Sequence, residues 1–122
     1  MSRPEQDLQK LVLEHLQWRR PKKSFVFHYP AGGWRSSVEA AIFQSLGVVA
    51  GVPDLLIIYE GRIYGLELKT KHGRLSGNQI ETQDRMRAAG AIIATAVELD
   101  AALEQLARWG LLQPDVSTRR AS

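Results

Sequence analysis

The chain has 122 residues, of which 44% are apolar and 24% charged, as expected for one folded domain with a packed core. It contains no cysteine, which excludes a disulfide framework, a cysteine nucleophile and a thiolate metal site. The net charge of +3 is compatible with a polyanionic partner but does not establish one.

The N-terminal segment MSRPEQDLQK is polar and lacks the apolar core of a signal peptide. No apolar run approaches the roughly 20 residues that are needed to span a bilayer. We therefore expect a cytoplasmic protein without a membrane partner.

Hydrophobic periodicity and turn residues predict alternating helices and strands. Ser36 and Ser76 are candidate helix N-caps, and Gly47 and Gly90 are placed to end the helices that follow them. Because the middle strands are apolar at nearly every position, we expect a central mixed sheet with helices on both faces. The unbroken apolar run over 91–97 predicts a buried strand. The predicted elements are helix 5–18, strand 25–29, helix 36–46, strands 54–59 and 62–71, helix 76–89, strand 91–97 and helix 99–110, followed by a polar tail over 113–122 that we expect to be disordered.

The two middle strands form a candidate hairpin joined at Glu60-Gly61, with charged residues at its open end. With a two-residue turn, Asp54 faces Glu67 with Cβ atoms about 5 Å apart. Lys69 lies two positions beyond Glu67 and therefore on the same face. A three-residue loop with a bulge at the glycine would instead pair Asp54 with Leu66 and disperse the cluster. The sequence leaves both registers open.

Two carboxylates this close repel each other unless a cation lies between them. Mg²⁺ prefers oxygen ligands, and it can bind a scissile phosphate and lower the pKa of a water molecule. A neighbouring lysine can orient or deprotonate the attacking water. Asp54, Glu67 and Lys69 thus outline a site for phosphodiester hydrolysis. The alternative is a salt-bridge network on an exposed strand end, although charges within apolar strands are costly unless they are paired or metal-bound.

Glu5 lies at the centre of the apolar face of the first predicted helix, whereas Glu14 lies on the opposite side. An inward-facing glutamate in the first turn could reach the same metal site. Its alternative role is a favourable interaction with the helix macrodipole.

Two basic clusters are candidate phosphate contacts. For the cluster over 19–23 alone, an ordinary solvated loop is the slightly favoured interpretation. The cluster that contains Lys71 and Arg74 adjoins the acidic residues and is the stronger candidate for DNA binding. His28 is expected to be structural.

Four segments resemble the VRR-NUC domain, the virus-type replication-repair nuclease branch of the PD-(D/E)XK superfamily. They are GVPDLL at 51–56, GLELK at 65–69, GRLSGNQ at 73–79 and WGL at 109–111. The likeness covers about residues 5–111. It implies an α/β, restriction-endonuclease-like core, which we place at residues 1–112, with a central mixed β-sheet flanked by helices.

The resemblance also implies an activity. It is that of a DNA endonuclease that depends on Mg²⁺ or Mn²⁺. The resemblance further implies a homodimer that acts on branched DNA, such as Holliday junctions, in DNA repair. It also implies a bacterial or phage-encoded protein. One rival interpretation is a non-catalytic nucleic-acid-binding module of the same fold. Another is a metal-free structural protein. Loss of Asp54, Glu67 or Lys69 would favour the non-catalytic module, and all three residues are present in this sequence.

Residue roles follow from the same resemblance. Asp54, Glu67 and the backbone carbonyl of Leu68 would be metal ligands, with Glu5 as the first-helix acid and a further candidate ligand. Lys69 would be the catalytic lysine.

Gln79 would be the family's glutamine after the lysine strand. It could alternatively complete a capping box with Ser76, and we expect one amide to fill only one of these roles. Gly33 and Arg35 are candidate DNA-binding residues in the preceding loop, where Ala31 replaces the asparagine that the family often has.

Overall fold

A four-stranded mixed sheet in the order β1-β2-β3-β4 organises the chain. In the computed structural model, which describes residues 3–30 and 36–114, β1, β2 and β3 pair antiparallel, and β4 pairs parallel to β3. The parallel pair requires a crossover, which α3 provides. The elements are α1 (Arg3–Arg19), β1 (Phe25–His28), α2 (Ser37–Ser45), β2 (Leu55–Tyr59), β3 (Arg62–Lys69), α3 (Gly77–Ala88), β4 (Ile92–Val97) and α4 (Glu98–Arg108).

The turn between β2 and β3 settles the register of the hairpin. Glu60 and Gly61 have φ angles of 50° and 75°, the positive pair typical of a two-residue type I′ turn. Tyr59 consequently pairs with Arg62, and the ladder continues to Leu55 opposite Leu66. The two-residue turn is confirmed, and the register with a bulge at the glycine is wrong.

One face of the sheet packs against α1 and α4. Leu8, Val12 and Leu16 recur every fourth residue along α1, so they form one buried stripe. They meet alternate side chains of β2 and β3 and the buried side of α4, which includes Leu106. Truncating one of these leucines to alanine would cost about 2–5 kcal/mol. Alternation within β3 directs Glu67 and Lys69 to the other face.

The expectation that the last strand is buried is wrong. β4 is an edge strand, and within it Ala96 is buried while Thr95 and Val97 are exposed. An apolar run does not distinguish a central strand from an edge strand, because that depends on the order of strands in the sheet.

The end of the described chain is attached to α1. Gln113 donates its backbone N–H to the carbonyl oxygen of Arg19 at 2.7 Å, and the Arg19 guanidinium donates to the Gln113 carbonyl oxygen at 2.7 Å. Gln113 is therefore held against the domain. Residues 115–122, most of the predicted tail, lie outside the described residues. Within the described ranges, no helix combines the length and apolar character that crossing a bilayer requires.

Candidate active site

A cleft of about 670 Å³ opens beside the end of the hairpin where Asp54 and Glu67 lie. Its walls come from α1, from the segment after β1, from the segment that leads into β2 and from the start of α3. The side chains lining it include Glu5, His28, Asp54, Glu67 and Gln79. The fold therefore brings both acids of the hairpin and the acid of the first helix to one concave surface.

Asp54 lies immediately before β2, where the β2–β3 ladder ends. Its Oδ2 accepts a hydrogen bond from the backbone N–H of Leu68 at 2.8 Å. Its carbonyl oxygen lies 2.7 Å from Nδ1 of His28, so this ring nitrogen is the protonated one. His28 thus helps to hold the segment that carries the carboxylate. This contact agrees with the structural role expected for His28, although its place in the cleft was not predicted.

Glu67 is held by three side chains although only 1% of its surface is exposed. Its Oε2 accepts from the amide nitrogen of Gln79 at 3.0 Å and lies 3.5 Å from Nζ of Lys69. Its Oε1 accepts from the amide nitrogen of Gln83 at 3.1 Å. A buried carboxylate is tolerated only with such partners.

Lys69 is also buried, with 8% of its surface exposed. Its ammonium group donates to Oε1 of Gln79 at 3.1 Å, in addition to its contact with Glu67. This burial argues against a salt-bridge network on an exposed strand end.

The Gln79 amide makes hydrogen bonds both to the helix cap and to the acidic cluster. Its side-chain oxygen accepts the backbone N–H of Ser76 at 2.8 Å, and the Ser76 hydroxyl accepts the backbone N–H of Gln79, so the capping box is complete. Its side-chain nitrogen donates to Glu67 at the same time. The expectation that one amide fills only one role is wrong, because the oxygen makes the cap and the nitrogen makes the site contact.

The environment of Glu67 raises the pKa of its carboxyl group to about 8. Burial is the largest cause, because it disfavours the charged form, and the neighbouring charge and hydrogen bond of Asp54 act in the same direction. The Lys69 ammonium group opposes the shift. The contribution of Asp54 to this shift is repulsion between two acids, which a cation between them would relieve.

The oxygen atoms at the site match the preferences of Mg²⁺ and Mn²⁺. Asp54 and Glu67 supply hard carboxylate oxygens. The N–H and C=O of a strand residue point to the same neighbour, so the Leu68 carbonyl lies on the side from which Asp54 binds its N–H. Pro53 has no N–H that could occupy that carbonyl. Across the described ranges, no group of three or more His, Asp or Glu side chains is close enough to hold a metal ion, so Glu5 lines the cleft without completing a three-acid cluster.

The two basic clusters differ in what their side chains do. In the first, Arg19 binds Gln113, and Arg20 donates to the carbonyl oxygen of Ser24 at 2.7 Å, so both arginines stabilise the fold. In the second, Lys71 and Arg74 are exposed in the loop between β3 and α3. The backbone N–H of Lys71 is bound by Glu98 of α4.

Gly33 and Arg35 lie outside the described residues. Gln83, in contrast, contacts the site and was not among the predicted residues. Its spacing was a usable signal, because a residue one helical turn after Gln79 lies on the same helix face.

Two solved structures have the same fold as this chain. One, described as a VRR_NUC domain protein, gives a TM-score of 0.69 and 23% sequence identity over 94% of this chain and 95% of that chain. Another, described as a VRR_NUC domain, gives a TM-score of 0.58 and 19% identity over 88% of this chain and 97% of that chain. No family model and no curated protein sequence matches the chain. The predicted α/β core is confirmed, and it is the fold of these VRR_NUC domains.

Proposed function

We propose that this chain, which has the fold of the VRR_NUC domain structures, is a nuclease of that type. Its activity is that of a Mg²⁺- or Mn²⁺-dependent DNA endonuclease. The observation that carries the proposal is the convergence of Asp54, Glu67 and Lys69 beside a cleft, with the glutamate and the lysine buried. Burying the ionisable side chains of Glu67 and Lys69 on the face of the sheet opposite the hydrophobic core costs free energy. Stability alone would not require ionisable residues at these positions.

In this proposal Asp54, Glu67 and the Leu68 carbonyl hold the cation, and Glu5 is a further candidate ligand from the cleft wall. When bound, the cation supplies positive charge for the scissile phosphate and makes a water molecule more acidic. Each carboxylate oxygen has two acceptor positions, so the single hydrogen bonds from Leu68 to Oδ2 of Asp54 and from Gln83 to Oε1 of Glu67 leave room for such a ligand.

Lys69 acts on the attacking water and on the developing negative charge. Its ammonium group is fixed by Glu67 and by the oxygen of Gln79, so little reorganisation is needed when charge develops on the phosphate. Gln79 is a positioning residue in this scheme, because it holds the acid and the lysine together.

The DNA backbone would pass the mouth of the cleft and contact the loop that carries Lys71 and Arg74. Both side chains are exposed, as contacts with phosphates require. We include Gly33 and Arg35 in the DNA-binding set on the resemblance alone.

We further propose that the enzyme is a homodimer acting on branched DNA, such as Holliday junctions. α2 supports the dimer. It has nine residues, none of them buried, and in the part of the chain that the structure describes it lies apart from the other helices and strands. A helix of nine residues is marginal in water by itself. Its single charged residue, Glu39, leaves an apolar face that a second copy could cover by two-fold pairing.

A cleavage assay tests the proposed chemistry. Asp54→Ala and Glu67→Ala should each abolish Mg²⁺-dependent cleavage of DNA, while Asp84→Ala should leave it unchanged. Asp84 is the matched control, because it is an exposed acid paired only with Arg87 in the structure's described part. Lys69→Ala should lower the rate more than the affinity for Mg²⁺, since its role lies in the transition state.

The substrate set separates the rival functions. Matched duplex, flap, single-stranded and four-way-junction DNAs should be bound, and the branched forms should be cut fastest. Binding without cleavage by the unaltered protein would identify a non-catalytic nucleic-acid-binding module. Turnover by Asp54→Ala or Glu67→Ala close to that of the parent protein would refute the site.

A further inference from the structure

Gln83, a residue outside every motif that carries the resemblance, contacts the proposed cation site. We infer that Gln83 is the positioning residue that fixes the Glu67 carboxylate for metal binding. The inference rests on the proposed function and adds a residue to its machinery. Gln83 lies one helical turn after Gln79 on α3, so the two amides reach the same face of β3.

The contacts of Gln83 hold the carboxylate from the side that Gln79 does not reach. Gln83 is 1% exposed, and its side-chain nitrogen lies 3.1 Å from Oε1 of Glu67 and 3.3 Å from the carbonyl oxygen of Gly51. An amide nitrogen carries two hydrogens, one for each acceptor. Gln79 holds the other oxygen at 3.0 Å. With a donor on each oxygen, the carboxylate cannot rotate freely.

Gln83 also connects Glu67 with the chain segment before β2, which ends in Asp54. Gly51 lies in that segment, and Thr82 holds its neighbour by donating to the carbonyl oxygen of Ala50 at 2.6 Å. Thr82 therefore attaches the segment to α3 with no hydrogen bond to Glu67 among the described residues, whereas Gln83 donates to both. The Gln83 amide thus links Glu67 to the chain segment that leads to Asp54, the other proposed carboxylate ligand.

Only the nitrogen of the Gln83 amide has hydrogen-bond partners among the described residues. The side-chain oxygen of Gln83 is buried and has no hydrogen-bond partner among the described residues. A buried acceptor without a donor lowers stability, so each such group needs a reason. Methionine has the same length and no amide, so it would remove the unpaired oxygen but would also leave Oε1 of Glu67 and the Gly51 carbonyl oxygen without this donor. The donor nitrogen is what glutamine provides.

The test compares Gln83→Met with Thr82→Val and with the parent protein. Calorimetric titration with Mn²⁺ should show binding weakened on the order of tenfold in Gln83→Met, because residues that orient metal ligands typically have effects of this size. Its thermal midpoint in the absence of metal should fall only slightly, because losing the unpaired oxygen and losing the donor to Glu67 and Gly51 have opposite effects on stability. The electron paramagnetic resonance spectrum of bound Mn²⁺ should change in the same variant. Thr82→Val should bind Mn²⁺ like the parent protein.

Three results would overturn the inference. Parent-like Mn²⁺ affinity of Gln83→Met would remove Gln83 alone and leave the proposed function in place. An equal loss of affinity in Thr82→Val would assign the effect to attachment of the segment instead of the Glu67 contact. A parent protein that binds no Mn²⁺ would remove the proposed function as well. If Gln83→Met does not fold, Gln83→Asn replaces it, because its amide is one methylene too short, and the same weakening is required.

Discussion

At the scale of single residues, Glu67 makes the metal-free protein sensitive to pH. The pKa of its carboxyl group is about 8 in the folded protein, against an ordinary value of 4.5. Between these pH values the folded protein retains a proton that the unfolded chain has released. The free energy of unfolding should therefore be highest at the acidic end of this window and should fall as the pH rises to about 8.

Denaturation with urea in the presence of a chelator measures this dependence between pH 5 and pH 8. Glu67→Gln resembles the protonated acid and does not titrate. The part of the pH dependence of the unfolding free energy that comes from Glu67 should therefore disappear in this variant. An identical pH slope in the parent protein and in Glu67→Gln would contradict the assignment. In titrations below pH 8, Mg²⁺ binding should release about one proton from the site.

The two glutamates of α1 provide a second test at this scale. Glu5 lines the cleft and is partly buried, whereas Glu14 is exposed on another side of the helix. Glu5→Ala should reduce the cleavage rate severely, while Glu14→Ala should change it little. Rates measured on the same DNA decide between a site role and a macrodipole role for Glu5. Equally small effects of both substitutions would mean that α1 is only structural.

At the scale of elements, the hairpin was predictable because its signals are local. The apolar pattern identified both strands, and Gly61 readily adopts the positive φ that a two-residue turn requires, although glutamate at position 60 is not a residue that favours it. The position of Asp54 opposite Glu67 follows from that turn. The sequence alone could not choose between the two registers, because the difference is one residue in the turn.

Helix α3 shows why other parts of the site were not predicted. Its sequence is polar along most of its length, so hydrophobic periodicity does not reveal which side faces the protein. Gln83 consequently has the sequence character of a solvated residue, although it is buried against Glu67. Buried polar networks are specified by partners on other elements, and those pairings exist only in the folded structure.

The loop between β3 and α3 has its own prediction, because Lys71 and Arg74 are exposed next to the site. Lys71→Ala and Arg74→Ala should each weaken DNA binding for all sequences, and each should lower the slope of log affinity against log salt by about 1. Lys22→Ala is the control, since it removes an exposed charge from the other basic cluster. Fluorescence anisotropy over a salt series measures the slopes. The same change in the Lys22 variant would mean that the protein's net charge matters and the loop does not.

At the scale of the whole molecule, the exposed apolar residues support the proposed homodimer. Val38, Ile42 and Leu46 follow one another at helical spacing along α2 and its C-cap, and they are 54–74% exposed. Trp18 is 81% exposed, as suits an interface residue. The ring of Trp109, in contrast, is tilted against that of Tyr64 with the centroids 5.2 Å apart, and it packs against the core. Trp34 lies outside the described residues.

Light scattering at micromolar concentration should therefore give twice the chain mass of 13.7 kDa. Ile42→Lys should shift the protein to the monomer, because a charge at the centre of the apolar face cannot be buried in a two-fold contact. Trp18→Ala is the companion variant, and it tests whether the interface extends beyond α2. A parent protein with the mass of one chain would exclude the dimer and the paired cutting of junctions, but it would not affect the metal chemistry.

The two-residue turn between β2 and β3 also has a consequence for the order of folding. It joins the strands that position Asp54 and Glu67, so the loop that must close before these acids meet is short and its entropic cost small. The parallel pairing of β3 with β4 has to wait for the longer crossover through α3, and contacts that are distant in sequence form more slowly. Asp54 and Glu67 can therefore approach each other in a partly folded chain, before the amides of α3 are in place to donate to Glu67. In that interval their mutual repulsion acts against the hairpin, and a divalent cation present during refolding would relieve it.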